Sequence, residues 1–570
     1  MLKRENVKKY LGSVVGGQDI RLLGASVAIG VLVAMVVALF EWLTESVLLH
    51  WILQQPLVVL VTAPVVGILA ANALLRWVGR GTSGATSDEY IRTFHERHPR
   101  LPIMHLPGKL TAGIATIGMG GAVGLEGPSI YAGSSIGLWV HEKTGTFLRR
   151  DNARLLLTAG AAAGVAAVFK APATGVIFAM EAPYREDVTP QALLPSLLAS
   201  ATSYATFVSL VGTAPVVPFL AEGTTSGAES GVAVLGVDLI DLAGALLLGI
   251  AAGLAGRGFA WLVRRTKSGA KRYSLTKRLL VGGVGLAILA WAAQVVFESP
   301  LTLGPGTNAM DWVVGNRGLG LIALLFGMRM AATITTVFAG GVGGLFIPLA
   351  ALGVVLGEFV GQALGNNETT LYPILGLAAF LGAGYRAPIA AVMFVAESTG
   401  GVGSFVVPAL VAAAVSQVVA GPSSVADYQR SVRLGHLERR LTLPIGSILS
   451  TDVMTVPPDA TVSEFVYFHV LGRRERIVPV VENERFLGLA RLEDIAEINR
   501  DEWEQTTISE HMATDLPVGQ PSWTLRDAVA AMGEAQIDVI AVTAVNGAFI
   551  GVVTEDDILK LDEILDETGN

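Results

Sequence analysis

The stretch Gly124–Gly133, GLEGPSIYAG, sets a carboxylate, Glu126, among glycines in a part of the chain that carries almost no other charge. An ionisable residue is costly in hydrocarbon and marks a functional site by default. A second stretch, GLFIP from Gly344, repeats the frame without the carboxylate. In both, glycines precede an apolar run, and Pro128 and Pro348 fall where a first helical turn tolerates proline. Each therefore reads as a loop feeding a helix N-terminus. Free N–H groups and the positive end of the helix dipole make such a terminus an anion site without a formal charge. A permeating anion suits that chemistry, because a fixed Lys or Arg would hold it too tightly to release. The Glu126 carboxylate would occupy the same amides, to be displaced by an anion or neutralised by a proton, and so would act as a gate.

The composition fits this reading. Of 570 residues, 52% are hydrophobic and only 15% charged, with a mean hydropathy of +0.57. A typical soluble domain is about 25% charged. The chain reads as a polytopic α-helical membrane protein with room for a soluble domain. Its 66 glycines suit helices that pack closely in lipid. With no cysteine, disulfides and Cys-ligated metals are excluded. A net charge of −8 carries no nucleic-acid signature. The polar residues show neither a nucleophile–base pairing nor metal-ligand spacing, so neither an enzyme nor a required cofactor is expected. The N-terminal MLKRENVKKYLGSVVGGQDIRLLG is basic but lacks the hydrophobic region and cleavage site of a signal peptide, so the first apolar segment reads as a retained helix.

Apolar runs dominate as far as about residue 430. Long ones cover 21–48, 57–78, 153–168, 191–212, 238–264, 279–297 and 405–420. Shorter ones, broken by Gly and Pro, cover 108–122, 127–140, 171–183, 320–338, 345–362, 372–384 and 387–398, and read as tilted or partial helices. Basic clusters at 3–9 and 264–278 indicate cytoplasmic flanks and a cytoplasmic N-terminus. The frame is duplicated. FKAPATGVIFAMEA from Phe169 matches YRAPIAAVMFVAES from Tyr385, and Gly124 matches Gly344 at nearly the same separation along the chain. Paired broken segments in two halves point to a site at the repeat interface near the bilayer midplane. A third loop, GRGTSGATSDEYI from Gly79, offers hydroxyl and amide donors at Ser83, Gly84 and Ala85.

Beyond about residue 436 the composition becomes that of a soluble α/β protein. TDVMTVPPDATVSEF from Thr451 matches TDLPVGQPSWTLRDA from Thr514, and FLGLARLEDI from Phe486 matches FIGVVTEDDI from Phe549, with one common offset. These two copies resemble a tandem pair of CBS domains at about 443–500 and 505–567, giving a division into 1–435 and 436–570. That resemblance implies adenine-nucleotide binding (ATP, ADP or AMP), with Thr554 and Asp557 in the second copy and Asp494 in the first, where Arg491 stands in place of a hydroxyl.

Together the membrane motifs resemble those of the ClC family of chloride channels and chloride/proton exchangers. GLEGP is similar to the family's G-(R/K)-E-G-P motif, with Leu125 in place of the basic residue, and GLFIP to its G-x-F-x-P motif. The resemblance implies an inverted internal repeat with many broken helices, a homodimer with one anion pathway per subunit, Glu126 as gating glutamate, and chloride as substrate. It adds Gly124, Gly127, Gly344, Leu345, Phe346 and Ile347 as pathway residues. The family's serine loop aligns with Gly84-Ala85-Thr86, with Ser83 as the shifted alternative. Its central tyrosine aligns with Ala426, and Tyr428 lies two residues on. The proton glutamate of exchangers aligns with Ala182, whereas Glu181 and its counterpart Glu397 read as helix-end residues in both halves. The leading expectation is thus a voltage-gated-type chloride channel or weakly coupled transporter in a bacterial plasma membrane, its CBS pair cytoplasmic. A proton-coupled exchanger is the alternative, followed by a fluoride-selective relative and a non-conducting nucleotide sensor.

Overall fold

Helices that are apolar all round must either pack on one another or face lipid, and this chain does both. The computed structural model describes residues 17–96, 98–144, 152–214, 216–217, 239–315, 317–365, 370–399, 405–431, 442–535, 537–558 and 560–561. It falls into two units, Met1–Arg433 and Leu434–Asn570. The basic cluster at 3–9 and the expected boundary at 435/436 lie outside the described residues.

In the first unit, one set of helices is followed by a second set of counterparts in the same order and at nearly constant spacing along the chain. The first set comprises α1 (Gly17–Glu41), α2 (Leu57–Trp77), α3 (Ser87–Phe94), α4 (Leu106–Gly118), α5 (Glu126–Lys143), α6 (Asn152–Phe169), α7 (Pro172–Glu181) and α8 (Leu193–Val211). The second comprises α9 (Leu239–Ala270), α10 (Leu275–Phe297), α11 (Thr307–Val313), α12 (Leu319–Ala339), α13 (Phe346–Ala363), α14 (Leu371–Tyr385), α15 (Pro388–Ser398) and α16 (Val406–Ala420). Among the described residues, eight helices are long and apolar enough to cross a membrane. The segment 320–338, expected to be short and broken, is instead part of one continuous helix, α12. Gly320 and Gly327 lie inside this helix with open space around them, so neither marks a break or a close backbone approach. Leu210, Leu254, Leu280, Ile288 and Val418 point outward, as a lipid-facing exterior requires.

Close packing repeats in both halves. A Cβ on Gly133 of α5 would overlap the Gly160 carbonyl of α6, and one on Gly353 of α13 the Gly376 carbonyl of α14. Only glycine lets these backbones meet. Helix α12 ends at Gly340 with φ +88°, and Gly120, just after α4, has φ +96°. These left-handed glycines turn the chain into the two quoted loops.

The second unit is built on the shorter repeat. In the first copy, β1 (Ile477–Glu482) pairs antiparallel with β2 (Arg485–Arg491) behind a helix, α17 (Val462–Leu471). In the second, β3 (Val518–Gly519) pairs parallel with β4 (Val539–Thr543), which pairs antiparallel with β5 (Phe549–Thr554), and α18 (Leu525–Ala535) packs on this sheet. The copies interlock reciprocally. Ser450 bridges to Val552, and its equivalent Ala513 bridges to Leu489, the equivalent of Val552. Phe486 and Phe549, also equivalent, stack with ring centres 6.1 Å apart.

Candidate functional site

The two quoted loops meet at the repeat interface. Gly124 and Gly344 form an antiparallel bridge, with N–H···O distances of 2.9 and 2.7 Å. The bridge is braced symmetrically. The Val342 amide donates to Thr116 Oγ1 and the Ala122 amide to Thr336 Oγ1, each at 3.1 Å. Paired positions of the repeat, Gly124 with Gly344 and Thr116 with Thr336, therefore hold the N-termini of α5 and α13 side by side.

Glu126 is the first residue of α5 and is only 1% exposed. Its side chain crosses to the other repeat, where Oε1 accepts the amide of Phe346, its own counterpart, at 2.5 Å. The Ile347 amide also faces the carboxylate. Oε2 is buried without a hydrogen-bond partner among the described residues. The carboxylate thus sits on the N-terminus of α13, where an anion is favoured by the dipole and unpaired donors. Gly124, Gly127 and Gly344 crowd round this turn, so closely that a Cβ on Gly124 or Gly344 would overlap the Glu126 carboxylate and one on Gly127 would overlap Thr86 Oγ1.

The adjacent Leu345 amide donates to the hydroxyl oxygen of Tyr385 at 3.3 Å. Tyr385 is fully buried and also meets Ser87. It stands at the position equivalent to Phe169, and with Phe169, Phe178 and Phe394 it surrounds the Phe346 ring. The phenol beside the Leu345 amide is therefore Tyr385. Tyr428, the residue expected from the sequence, is 56% exposed with φ +68° and lines a cavity of about 660 Å³. That cavity extends to Thr86, Ser87, Gly344, Leu345 and Tyr385.

The 79–87 loop differs from expectation for a clear reason. The Ser83 hydroxyl donates to Glu89 Oε1 at 2.7 Å, so it serves that buried carboxylate rather than the amide site. Lys109, fully buried on α4, lies 3.0 Å from Glu89 and donates to the carbonyls of Ser83 and Ala85. Gly84 and Ala85 line the cavity, and Thr86 brings its hydroxyl to 3.5 Å from the Gly343 carbonyl. Arg329, the counterpart of Lys109 in the second repeat, grips the equivalent loop through the carbonyls of Leu301, Leu303, Gly304 and Pro305 at 2.8–3.3 Å. Each repeat thus buries one cation that pins the loop before its short helix. Sequence reading missed this pair. The signal was present, since Lys109 and Arg329 are both lone cations inside apolar runs and are related by the repeat.

Glu181 and Glu397 are reciprocal caps. Glu397 accepts from the Ala173 and Thr174 amides and from Thr174 Oγ1 at 2.6–2.8 Å, closing the N-terminus of α7. Glu181 accepts from the Ala390 amide at 2.9 Å, closing that of α15. Ala182 is buried, and its carbonyl accepts from Gln429.

With that geometry in place, the sequence matches the family described as voltage gated chloride channel over residues 66–421, more than half of the chain. The chain belongs to this family. CBS domains match at 445–501 and 508–563. Among solved structures, the fold is similar to that of a slow cyanobacterial Cl−/H+ antiporter, at 24% identity and a TM-score of 0.59, covering 70% of this chain and 94% of that one. It is similar to a CLC-type fluoride/proton antiporter at 23% identity and a TM-score of 0.60, covering 74% and 100%. A eukaryotic CLC transporter aligns at 17% identity and a TM-score of 0.57, covering 94% and 98%. The family, the fold and the apolar helices make this an integral membrane protein of the channel-and-transporter type.

In the CBS pair, Arg491 forks onto both oxygens of Asp494 at 2.6 and 2.7 Å. Asp557 accepts from the Thr554 amide and hydroxyl at 3.0 and 2.7 Å, while the Asp557 amide donates to Thr554 Oγ1 at 3.1 Å. That reciprocal pairing is a capping box. Among the described residues no cluster of His, Cys, Asp or Glu has metal-ligand geometry.

Proposed function

We propose that this protein moves chloride across a membrane through one pathway per subunit of a homodimer, with Glu126 as its gate. The observation that carries the proposal is the Glu126 carboxylate held on the Phe346 amide at the start of α13. A carboxylate and a chloride have the same charge and want the same donors, so one excludes the other. The pathway residues are the backbone at Gly124, Gly127, Gly344, Leu345, Phe346 and Ile347, with the Tyr385 phenol beside them. Ser83, Gly84 and Ala85 shape the loop, and Tyr428 lies at the cavity wall. The basic 264–278 flank supports an N-terminus and a CBS pair on the cytoplasmic side of a bacterial plasma membrane. Chloride efflux from liposomes holding purified protein tests the proposal, and a protein that passes no anion would overturn it. Fluoride efflux in the same assay separates a fluoride-selective relative.

Coupling to protons is the second reading, supported by the proton antiporters among proteins of the same fold. Against it stands Ala182, an aliphatic side chain where exchangers carry a relay carboxylate. A chloride gradient is therefore expected to drive little or no uphill proton movement. Stoichiometric proton pumping would promote the exchanger, and Ala182→Glu would then show whether this position accepts a relay.

The CBS pair is proposed to bind an adenine nucleotide at the second copy, because Thr554 and Asp557 converge at the end of β5 whereas Asp494 is held on both oxygens by Arg491. Millimolar ATP, ADP or AMP should raise the melting temperature of the 436–570 fragment. Asp557→Ala should weaken the shift, since a charge-assisted hydrogen bond contributes roughly 1.5–3 kcal/mol. No shift with any of the three would leave the pair structural.

A further inference from the structure

The cavity that reaches Leu345 is also lined by charges that the amide site does not require. Asp88, in the first turn of α3, and Asp427, beside Tyr428, converge on Lys267 near the end of α9. Lys267 Nζ lies 2.6 Å from Asp88 Oδ2 and 3.3 Å from Asp427 Oδ2, and donates to the Val425 carbonyl at 3.1 Å. The Asp427 amide donates to Asp88 Oδ1 at 2.9 Å, which locks the two carboxylates into one network. All three residues line the cavity, and the side chains of Lys267, Asp88 and Asp427 remain 23%, 14% and 38% exposed, so the network is wetted by the cavity rather than sealed from it. Arg76, Arg92, Lys271 and Arg278 line the same space and set a positive background, while the one further lining carboxylate, Glu89, is paired with Lys109.

Two carboxylates beside a route for anions are a liability. A cleft lined by one sign of charge changes the local concentration of a mobile ion and its on-rate by roughly 10–10³-fold. Lys267 is the only cation that the described residues place in contact with both carboxylates. Deleting it would leave both carboxylates uncompensated on the wall of the cavity that also reaches Leu345. The ammonium also ties α9 to α3 and to the segment carrying Val425 and Asp427, so a purely structural staple is the competing explanation.

We propose that Lys267 is a specificity-determining residue for anion access. By neutralising Asp88 and Asp427 it keeps the cavity attractive to anions and repulsive to cations. The inference rests on the anion-transport reading above.

The test is chloride efflux from liposomes holding the full-length protein. Lys267→Met is expected to lower efflux roughly tenfold or more at low ionic strength. Raising ionic strength with an impermeant electrolyte should shrink the deficit, because the screening length falls to about 3 Å at 1 M. Lys267→Arg should keep most of the flux. The variant Lys267→Met/Asp88→Asn/Asp427→Asn should recover flux to within about twofold of wild type, since the repulsion is then gone. The proposal is overturned if Lys267→Met conducts like wild type. It is equally overturned if its deficit ignores salt, or if the triple variant stays as low as Lys267→Met while matching wild type in monodispersity and melting temperature. Absence of chloride efflux from wild type would overturn the anion reading as well, whereas efflux from wild type matched by Lys267→Met would overturn this inference alone.

Discussion

Chloride efflux from liposomes holding the wild-type protein should rise as pH falls, and Glu126→Gln should abolish that response. Glu126 occupies the α13 N-terminus as a carboxylate acceptor. A charged acceptor on a backbone amide is held by roughly 1.5–3 kcal/mol, against about 1 kcal/mol for a neutral one. Protonation removes that difference and frees the amides for an anion. The sign follows from the charge. At high pH the retained carboxylate should block the site; at low pH the neutral side chain should leave and open it. A difference of about 1.4 kcal/mol is tenfold in occupancy, so wild-type flux should vary by at least several-fold across the titration. Gln has the shape of the protonated acid and never ionises, so Glu126→Gln should run at a high, pH-independent rate, and Glu126→Ala likewise. A purely structural Glu126 predicts the reverse, with lost stability and an intact pH response. A well-folded Glu126→Gln with the wild-type pH profile would remove this residue from the gate.

What the sequence revealed and what it hid follow from how each residue acts. Spanning helices announce themselves by length and apolarity, and an ionisable side chain in lipid announces itself by cost. Glu126 stood out in the sequence for that reason, and the structure buries it against the Phe346 amide. The matched FKAP and YRAP stretches were legible as a repeat, and the structure gives their positions jobs. Phe169 and Tyr385 flank Phe346, Lys170 and Arg386 adopt the left-handed conformation with φ +51° and +57°, Pro172 and Pro388 open helices, and the terminal glutamates cap them. The short helices α3 and α11 escaped notice because they carry no long apolar period. The site's phenol escaped as well. Its identity depends on which side chain the fold aims at the Leu345 amide, and Tyr385 reaches it from a different helix. Ser83 read as an available hydroxyl because nothing local shows that Glu89 claims it. Local chemistry is written in the sequence, whereas competition among distant partners is decided by packing.

Glu397→Ala is expected to be among the most damaging single changes in the membrane unit, and more damaging than Glu181→Ala. The Glu397 carboxylate satisfies three donors at the start of α7, the Ala173 amide, the Thr174 amide and the Thr174 hydroxyl. Truncation leaves those two amides of a membrane helix without acceptors. Each unsatisfied buried donor costs about 1–3 kcal/mol, so for two amides a loss of roughly 2–6 kcal/mol follows. Glu181 satisfies the Ala390 amide at 2.9 Å with the Ile389 amide beside it, so its truncation should cost about half as much. Melting in detergent measures both. Because both caps join the same two helices, α7 and α15, the double substitution should depart from simple additivity in a double-mutant cycle. The pH response of chloride efflux should survive in any variant that still folds, since neither carboxylate touches the Phe346 amide. If Glu181 instead carried protons, Glu181→Gln would change proton movement and leave the melting temperature alone. An unchanged melting temperature in Glu397→Ala would show that the caps contribute nothing, and would reopen both glutamates as carriers of charge.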